Sequence, residues 1–250
     1  MGNLDYNQLF LVLIYAIISD LATGLGVIPF LFYKNIKDNM LGFLSALSGG
    51  MMVGASFIVI ANEALKYSII LTVLGLFLGA YFVNYASKYF DEKELKFENL
   101  DAKHAKIAFL TFIVLFFHSF PEGVAIGMAF NSSDIKIGIL MVIAISLHNI
   151  PEGLIITLQM YPRGVSLLKC FLYAVLSSLP QPIAAIPAYL IGHYIKFTIP
   201  LGLGFAAGAM IYLTLAEILP EAFEKTDKNS VSWAFLIGVF IMMLLMYVHI

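Results

Sequence analysis

The sequence predicts an all-α membrane protein: a single domain over residues 1–250 made of eight transmembrane helices. Three observations carry that prediction: the residue balance, a recurring length of apolar run, and the side of the membrane on which basic residues fall. Of the 250 residues, 61% are hydrophobic and only 12% charged, against an apolar share of roughly 45–50% in soluble domains. Mean hydropathy is +0.92. Apolar runs of about 20 residues, the length that crosses the hydrocarbon core, recur along the whole chain and leave no stretch for a separate water-soluble domain.

Hydropathy windows and polar breaks place the spans at about 8–32, 40–61, 67–88, 107–130, 136–160, 166–194, 200–222 and 231–249. Turn and charge signals separate them, among them Asn131-Ser132-Ser133-Asp134, Tyr161-Pro162-Arg163-Gly164 and Lys225-Thr226-Asp227-Lys228-Asn229. The first run is too long for a signal-peptide core and has no charged leader, so it is read as a helix. One loop, at about 89–106, is long and charged, and its acids, lysines and His104 read as a solvated cytoplasmic linker.

Alternate loops share a side. Those after spans 1, 3, 5 and 7 hold Lys34, Lys37, Lys88, Lys93, Lys96, Lys103, Lys106, Arg163, Lys169, Lys225 and Lys228, whereas the other side holds Lys66, Lys136 and Lys196. By the positive-inside rule both termini are extracytoplasmic. Net charge is −2 with no basic stripe, which argues against a nucleic-acid partner; the lipid bilayer is the partner the composition requires. The lone Cys170 reads as a packing residue.

Spans 4 and 5 carry the chemistry. His118-Ser119-Phe120-Pro121-Glu122-Gly123 and His148-Asn149-Ile150-Pro151-Glu152-Gly153 repeat one pattern, H-x-x-P-E-G, on neighbouring antiparallel helices. In each, His and Glu stand at i and i+4, on one helical face. Two such faces opposed would surround a point with two imidazoles and two carboxylates. That donor set suits Zn²⁺ first, with Fe²⁺, Mn²⁺, Co²⁺ and Cd²⁺ as alternatives; Mg²⁺ and Ca²⁺ prefer oxygen alone. Pro121 and Pro151 withhold the amides that would pair with the carbonyls of Phe117 and Leu147, so a kinked, partly wet site is expected. Gly123 and Gly153 leave room for a close helix approach.

The plain alternative is that these are packing residues. Two ionised carboxylates at mid-membrane would then cost about 5–7 kcal/mol, at roughly 2.5–3.5 each, which a marginally stable fold does not lightly bear. A membrane-embedded metallohydrolase would use similar ligands plus an activated water, but H-E-x-x-H and a further Ser/Asp constellation are absent from the sequence. A metal held only as a structural staple would not need two opposed proline-bearing helices. His193 and His249, at span ends, read as interfacial.

The paired motifs, the span count, the extracytoplasmic termini and the long loop after span 3 together resemble the ZIP (Zrt/Irt-like) family, and HNIPEG in particular resembles its bacterial broad-range zinc transporters. The likeness extends to Gly50-Met51-Met52-Val53-Gly54-Ala55-Ser56 in span 2 and Gly208-Ala209-Met210-Ile211-Tyr212 in span 7. It implies a transporter rather than an enzyme, in the plasma (inner) membrane, carrying divalent metal toward the cytosol with no cofactor beyond the carried ion. It implies spans 1–3 and 6–8 as inverted repeats around spans 4 and 5, and one helical block sliding or rocking against another. A homodimer is one assembly the reading admits.

The resemblance also implies a ligand set: His118, Glu122, His148, Glu152 and Met52 for one ion, and Ser119, Asn149 and Gln181, with the shared glutamates, for a second. Glu63, Glu217 and Glu221 are candidate entry or exit acids. Binding would displace protons, weakening uptake in acid. Where relatives place a span 6 glutamate, this chain has Gln181. Two dications about 4 Å apart repel strongly, by roughly 4 kcal/mol per unit-charge product at an effective dielectric of 20. One well-occupied ion is therefore expected, with the Gln181 side weakly filled.

Overall fold

The computed structural model describes residues 6–32, 37–59, 64–91, 102–131 and 135–249, and the regular structure among them is helical throughout. Helix α1 (Tyr6–Gly24) continues through a 3-10 turn at Leu25–Val27 to a helical turn at Pro29–Phe32. It is followed by α2 (Asp38–Val59), α3 (Ile69–Asp91), α4 (Ala102–Ala129) and α5 (Ile135–Met160). Next come α6 (Leu167–Ser178), α7 (Pro180–Tyr194), α8 (Thr198–Leu213), α9 (Leu219–Lys225) and α10 (Lys228–His249).

Six helical stretches among the described residues are long and apolar enough to cross a membrane: Tyr6–Phe32, Asp38–Phe57, Ile135–Met160, Leu167–Tyr194, Thr198–Lys225 and Lys228–Leu245. Helix α3 is apolar over Ile69–Tyr85. The chain is thus a multi-pass helical membrane protein. Aromatic and aliphatic side chains such as Phe10, Ile70, Phe77, Leu168, Ile183, Trp233 and Phe240 point outward, as a lipid-facing surface requires.

Three differences from the sequence reading have local causes. Helix α4 begins five residues before the expected 107, because Ala102, Lys103, Ala105 and Lys106 are strong helix formers. The sixth apolar run is two helices meeting at Leu179, where Pro180 has no amide to continue the first and is well suited to open the second. The seventh contains a π-helical turn at Thr214–Ile218, just before Pro220, which gives Ala216 no amide.

The helices pair closely. Helix α3 lies along α8 and α2 along α10, while α4 lies along α7 and α1 along α5. Glycines set the first two crossings: a Cβ on Gly79 would sit 1.9 Å from the Phe205 carbonyl, and one on Gly50 would sit 2.0 Å from the Phe235 carbonyl. This is the small-residue packing that membrane helices use where lipid gives no hydrophobic drive. Helices α1, α4, α5, α6 and α7 form one block, and α2, α3, α8, α9 and α10 another, meeting along α2–α5 and α4–α8. Tyr189 Oη donates to Gln8 Oε1 (3.1 Å), Gln8 Nε2 to the Phe130 carbonyl (2.9 Å) and Asn131 Nδ2 to the Tyr189 carbonyl (2.7 Å), fastening α1, α4 and α7 together.

Helix α10 is capped from outside the membrane by Asp227, whose carboxylate accepts from the Asn229 and Ser230 amides and the Ser230 hydroxyl. The Ser230 hydroxyl and amide, outweighing slight desolvation, hold its pKa below the usual 3.8. A depressed folded-state pKa means that the cap stabilises above the unfolded value and is lost as pH falls through the folded one. Amide exchange at Ser230 should therefore rise, relative to mid-α10, only below a pH of about 4. Equal relative protection at pH 3 and pH 7 would show that the cap carries no weight.

Candidate metal centre

The H-x-x-P-E-G motifs lie at the meeting of α4 and α5, and both helices run unbroken through Pro121 and Pro151. A proline deletes one backbone hydrogen bond, and the surrounding turns remain intact. The side chains of Glu122, His148 and Glu152 are buried, at 0%, 0% and 2% exposed.

Those three side chains converge, each offering a ligand atom within 4.8 Å of the others'. His148 Nε2 is 2.6 Å from Glu122 Oε1. The second oxygen of Glu122 accepts from Gln181 Nε2 on α7. Zinc–nitrogen and zinc–oxygen bonds of about 2.0–2.2 Å place tetrahedral ligands about 3.4 Å apart. The trio therefore needs only side-chain adjustments to surround an ion, which would take the place of the proton that His148 and Glu122 share. Two carboxylates beside an imidazole in a buried interior supply donors whose negative charge, when ionised, a dication offsets.

The motif glycines bring in the flanking helices. A Cβ on Gly123 would lie 2.3 Å from the Gln181 carbonyl, and one on Gly153 would lie 1.7 Å from the Thr23 carbonyl. Helices α7 and α1 thereby press against the ligand-bearing turns of α4 and α5, as the sequence led us to expect.

The other expected residues divide. His118 stands one turn before Glu122 on α4, but its side chain lies outside the described residues, as does Glu63. Met52 is fully buried and turned toward the second block: its Sδ accepts from Thr214 Oγ1 at 3.9 Å, within a cluster containing Met210 and Leu213. One turn earlier on α2, Ser48 Oγ reaches the His148 carbonyl at 3.4 Å, so Met52 adjoins the centre without joining the trio. Ser119 donates back to the Leu115 carbonyl at 2.9 Å. Asn149 turns to α1, donating to the Ser19 carbonyl at 2.9 Å. Glu217 is half-buried in the π-helical turn, and Glu221 pairs with Lys225.

Asp20 was missed. It is 4% exposed near the end of α1, at the middle of the apolar stretch Tyr6–Phe32, and the cost assigned above to a mid-membrane carboxylate applies to it equally. That acid inside an apolar run was visible in the sequence.

Residues 90–246 match the family described as ZIP Zinc transporter. The chain belongs to the ZIP family. It is 33% identical to the zinc transporter ZupT of Chlorobaculum parvum over 85% of this chain and 88% of that one. With ZupT of Oceanobacillus iheyensis it shares 33% identity over 90% and 92% respectively. A putative zinc transporter of Arabidopsis thaliana is 34% identical over 87% of the chain, which spans about a third (35%) of that longer protein.

Proposed function

We propose that this ZIP protein carries divalent transition-metal ions, Zn²⁺ foremost, across the plasma membrane toward the cytosol. The observation that carries the proposal is the burial of Glu122, His148 and Glu152 together at the junction of α4 and α5, in a family whose matching relatives are named zinc transporters. As a transporter it needs no activated water. The ion is the cargo, held at one principal position by Glu122, His148, Glu152 and His118, with Met52 as a thioether donor in one access state and a second, weakly filled position on the side of Ser119, Asn149 and Gln181. Fe²⁺, Mn²⁺, Co²⁺ and Cd²⁺ fall within the same ligand chemistry.

The full architecture of the proposal is eight spans with both termini extracytoplasmic and an inverted repeat about α4 and α5. Its support is the pairing of helices: exchanging the first three spans with the last three turns the α3–α8 pair into α10–α2, and α1–α5 into α7–α4 (by way of the α6–α7 run). The division into two blocks supplies surfaces for relative movement. The test is uptake of labelled Zn²⁺, Fe²⁺, Mn²⁺ and Cd²⁺ into proteoliposomes; uptake equal to that of protein-free liposomes for all four would end the proposal.

Met52 gives a sharper check. Met52→Ala should reduce Cd²⁺ uptake more than Mn²⁺ uptake, because a thioether favours the softer ion. Its removal also leaves a cavity beside Met210 and Leu213, which would depress all metals alike. Equal losses for Cd²⁺ and Mn²⁺ would assign Met52 to packing.

A further inference from the structure

We propose that Met52, Met141 and Met210 form a thioether site for a single soft monovalent cation of the Cu⁺/Ag⁺ class, where the two blocks meet. Two copies of one pattern prompt it. Met52-Val53-Gly54-Ala55-Ser56 on α2 and Met210-Ile211-Tyr212-Leu213-Thr214 on α8 each place a hydroxyl one helical turn after a methionine. The hydroxyls cross over. Ser56 Oγ donates to the Met52 carbonyl at 2.8 Å and stands 3.7 Å from the Met210 sulfur, while Thr214 Oγ1 donates to the Met210 carbonyl at 2.8 Å and stands 3.9 Å from the Met52 sulfur. Each sulfur thus lies one hydroxyl away from the backbone of the other methionine, and the pair is buried in one cluster.

These contacts leave the sulfur lone pairs largely unengaged. A hydroxyl has one hydrogen, and in both turns the short bond to the carbonyl takes it, so the longer contact to sulfur is weak. The third thioether comes from the other block. Met141 on α5 and Met210 border a common cavity of about 10 Å³, with Ser56, Ala125 and Ala207 among the residues around it; that is about the space one water molecule needs. Ala125 follows Glu122 by three residues on α4, which sets the cavity next to the His/Glu centre but outside its ligands. Met52 stands one turn before Ser56, and a methionine side chain, with three rotatable bonds, can turn its sulfur toward such a gap.

The donors choose the ion. Thioethers are soft ligands that favour Cu⁺ and, by the same chemistry, Ag⁺. Among the described residues, none around the cavity carries a carboxylate or an imidazole, so nothing there offsets a second positive charge. The cost of desolvating an ion rises as the square of its charge, roughly fourfold from a monovalent to a divalent ion of one size. Zn²⁺ therefore belongs to the His/Glu centre and a soft monovalent ion to the methionines. Because Met52 and Met210 stand on one block and Met141 on the other, an ion held by all three would fasten the blocks together. That consequence rests on the proposed function: if zinc crosses by movement of the blocks, Ag⁺ at the methionines inhibits zinc uptake.

The test uses the full chain in nanodiscs, labelled with selenomethionine, and Ag⁺ in chloride-free buffer as the probe. X-ray absorption at the selenium edge should show a silver neighbour, a contact that binding to Cys170 or to a histidine cannot produce. Met141→Leu and Met210→Leu, size-conserving changes that a core tolerates, should each weaken Ag⁺ binding by at least about tenfold, the lower end of what altering even a group outside a metal's ligand shell costs. In proteoliposomes Ag⁺ should suppress zinc uptake by the wild type and, at the same concentration, spare most of the uptake by Met141→Leu, each taken relative to its own uptake without Ag⁺. No selenium–silver contact in the saturated wild type would overturn the site without reference to how any variant folds, as would wild-type Ag⁺ affinity in either leucine variant. Equal inhibition of the wild type and Met141→Leu would overturn the bridge between the blocks. Wild-type zinc uptake no higher than that of protein-free liposomes, without Ag⁺, would overturn the proposed function instead, because the selenium–silver contact is read without transport.

Discussion

Glu122→Gln and Glu152→Gln are each expected to lower zinc uptake into proteoliposomes by about a hundredfold or more while leaving a folded protein. Mutating groups outside the immediate ligand shell already costs about 10–100-fold, and these changes remove a ligand charge itself. Folding should survive because an amide keeps the shape of the carboxylate, and because a buried carboxylate lacking its cation is a burden that neutralisation relieves. At Glu122 the oxygen that accepts from Gln181 can be replaced by an amide oxygen accepting the same hydrogen bond. Thermal stability should therefore be unchanged or raised as uptake collapses. His118→Ala should behave alike, by its i, i+4 relation to Glu122. Near-normal uptake in any of the three would remove that residue from the site.

Much of the centre was legible because its signal is local. A helical period places His and Glu on one face, and duplication of H-x-x-P-E-G across two spans announces that the faces meet. The six apolar helical stretches long enough to span were legible for the same reason: an apolar run of about 20 residues is a property of adjacent residues. What escaped was set by tertiary packing. Nothing near Asn149 in the sequence says that its amide turns to Ser19 rather than to the centre, nor that Met52 shares its surroundings with Met210 and Thr214. The π-helical turn at Thr214–Ile218 depends on Pro220 within an otherwise regular apolar run. Asp20 differs: its position inside an apolar run was legible, but the contact of its helix with Ser178, made through Thr23, joins residues more than 150 apart in sequence.

The largest effect on folding is expected from Gly153→Ala, a single methyl group. Its Cβ would stand 1.7 Å from the Thr23 carbonyl oxygen, with the Thr23 carbonyl carbon at 2.8 Å. Both atoms belong to the backbone of α1, so no side-chain rotation can relieve the contact, and α1 and α5 must separate. The same crossing holds Gly26, whose Cβ would meet the Leu154 nitrogen at 2.1 Å, so the displacement cannot be confined to one residue. Overpacking of this kind costs about 1–3 kcal/mol, occasionally more, and two clamped backbones place this site at the upper end. At about 2–4 °C per kcal/mol for a chain of this size, Tm should fall by about 6–12 °C. Uptake should fall further than the folded fraction accounts for, because Glu152 precedes Gly153 and moves with it. Gly164→Ala is the control: its φ of +92° strains any side chain, but no atom lies within 4 Å of the added methyl. It should lose modest stability and keep the uptake of its folded fraction. If Gly153→Ala matched wild type in both Tm and uptake, the α1–α5 contact at the motif glycine would not be what holds Glu152 in place.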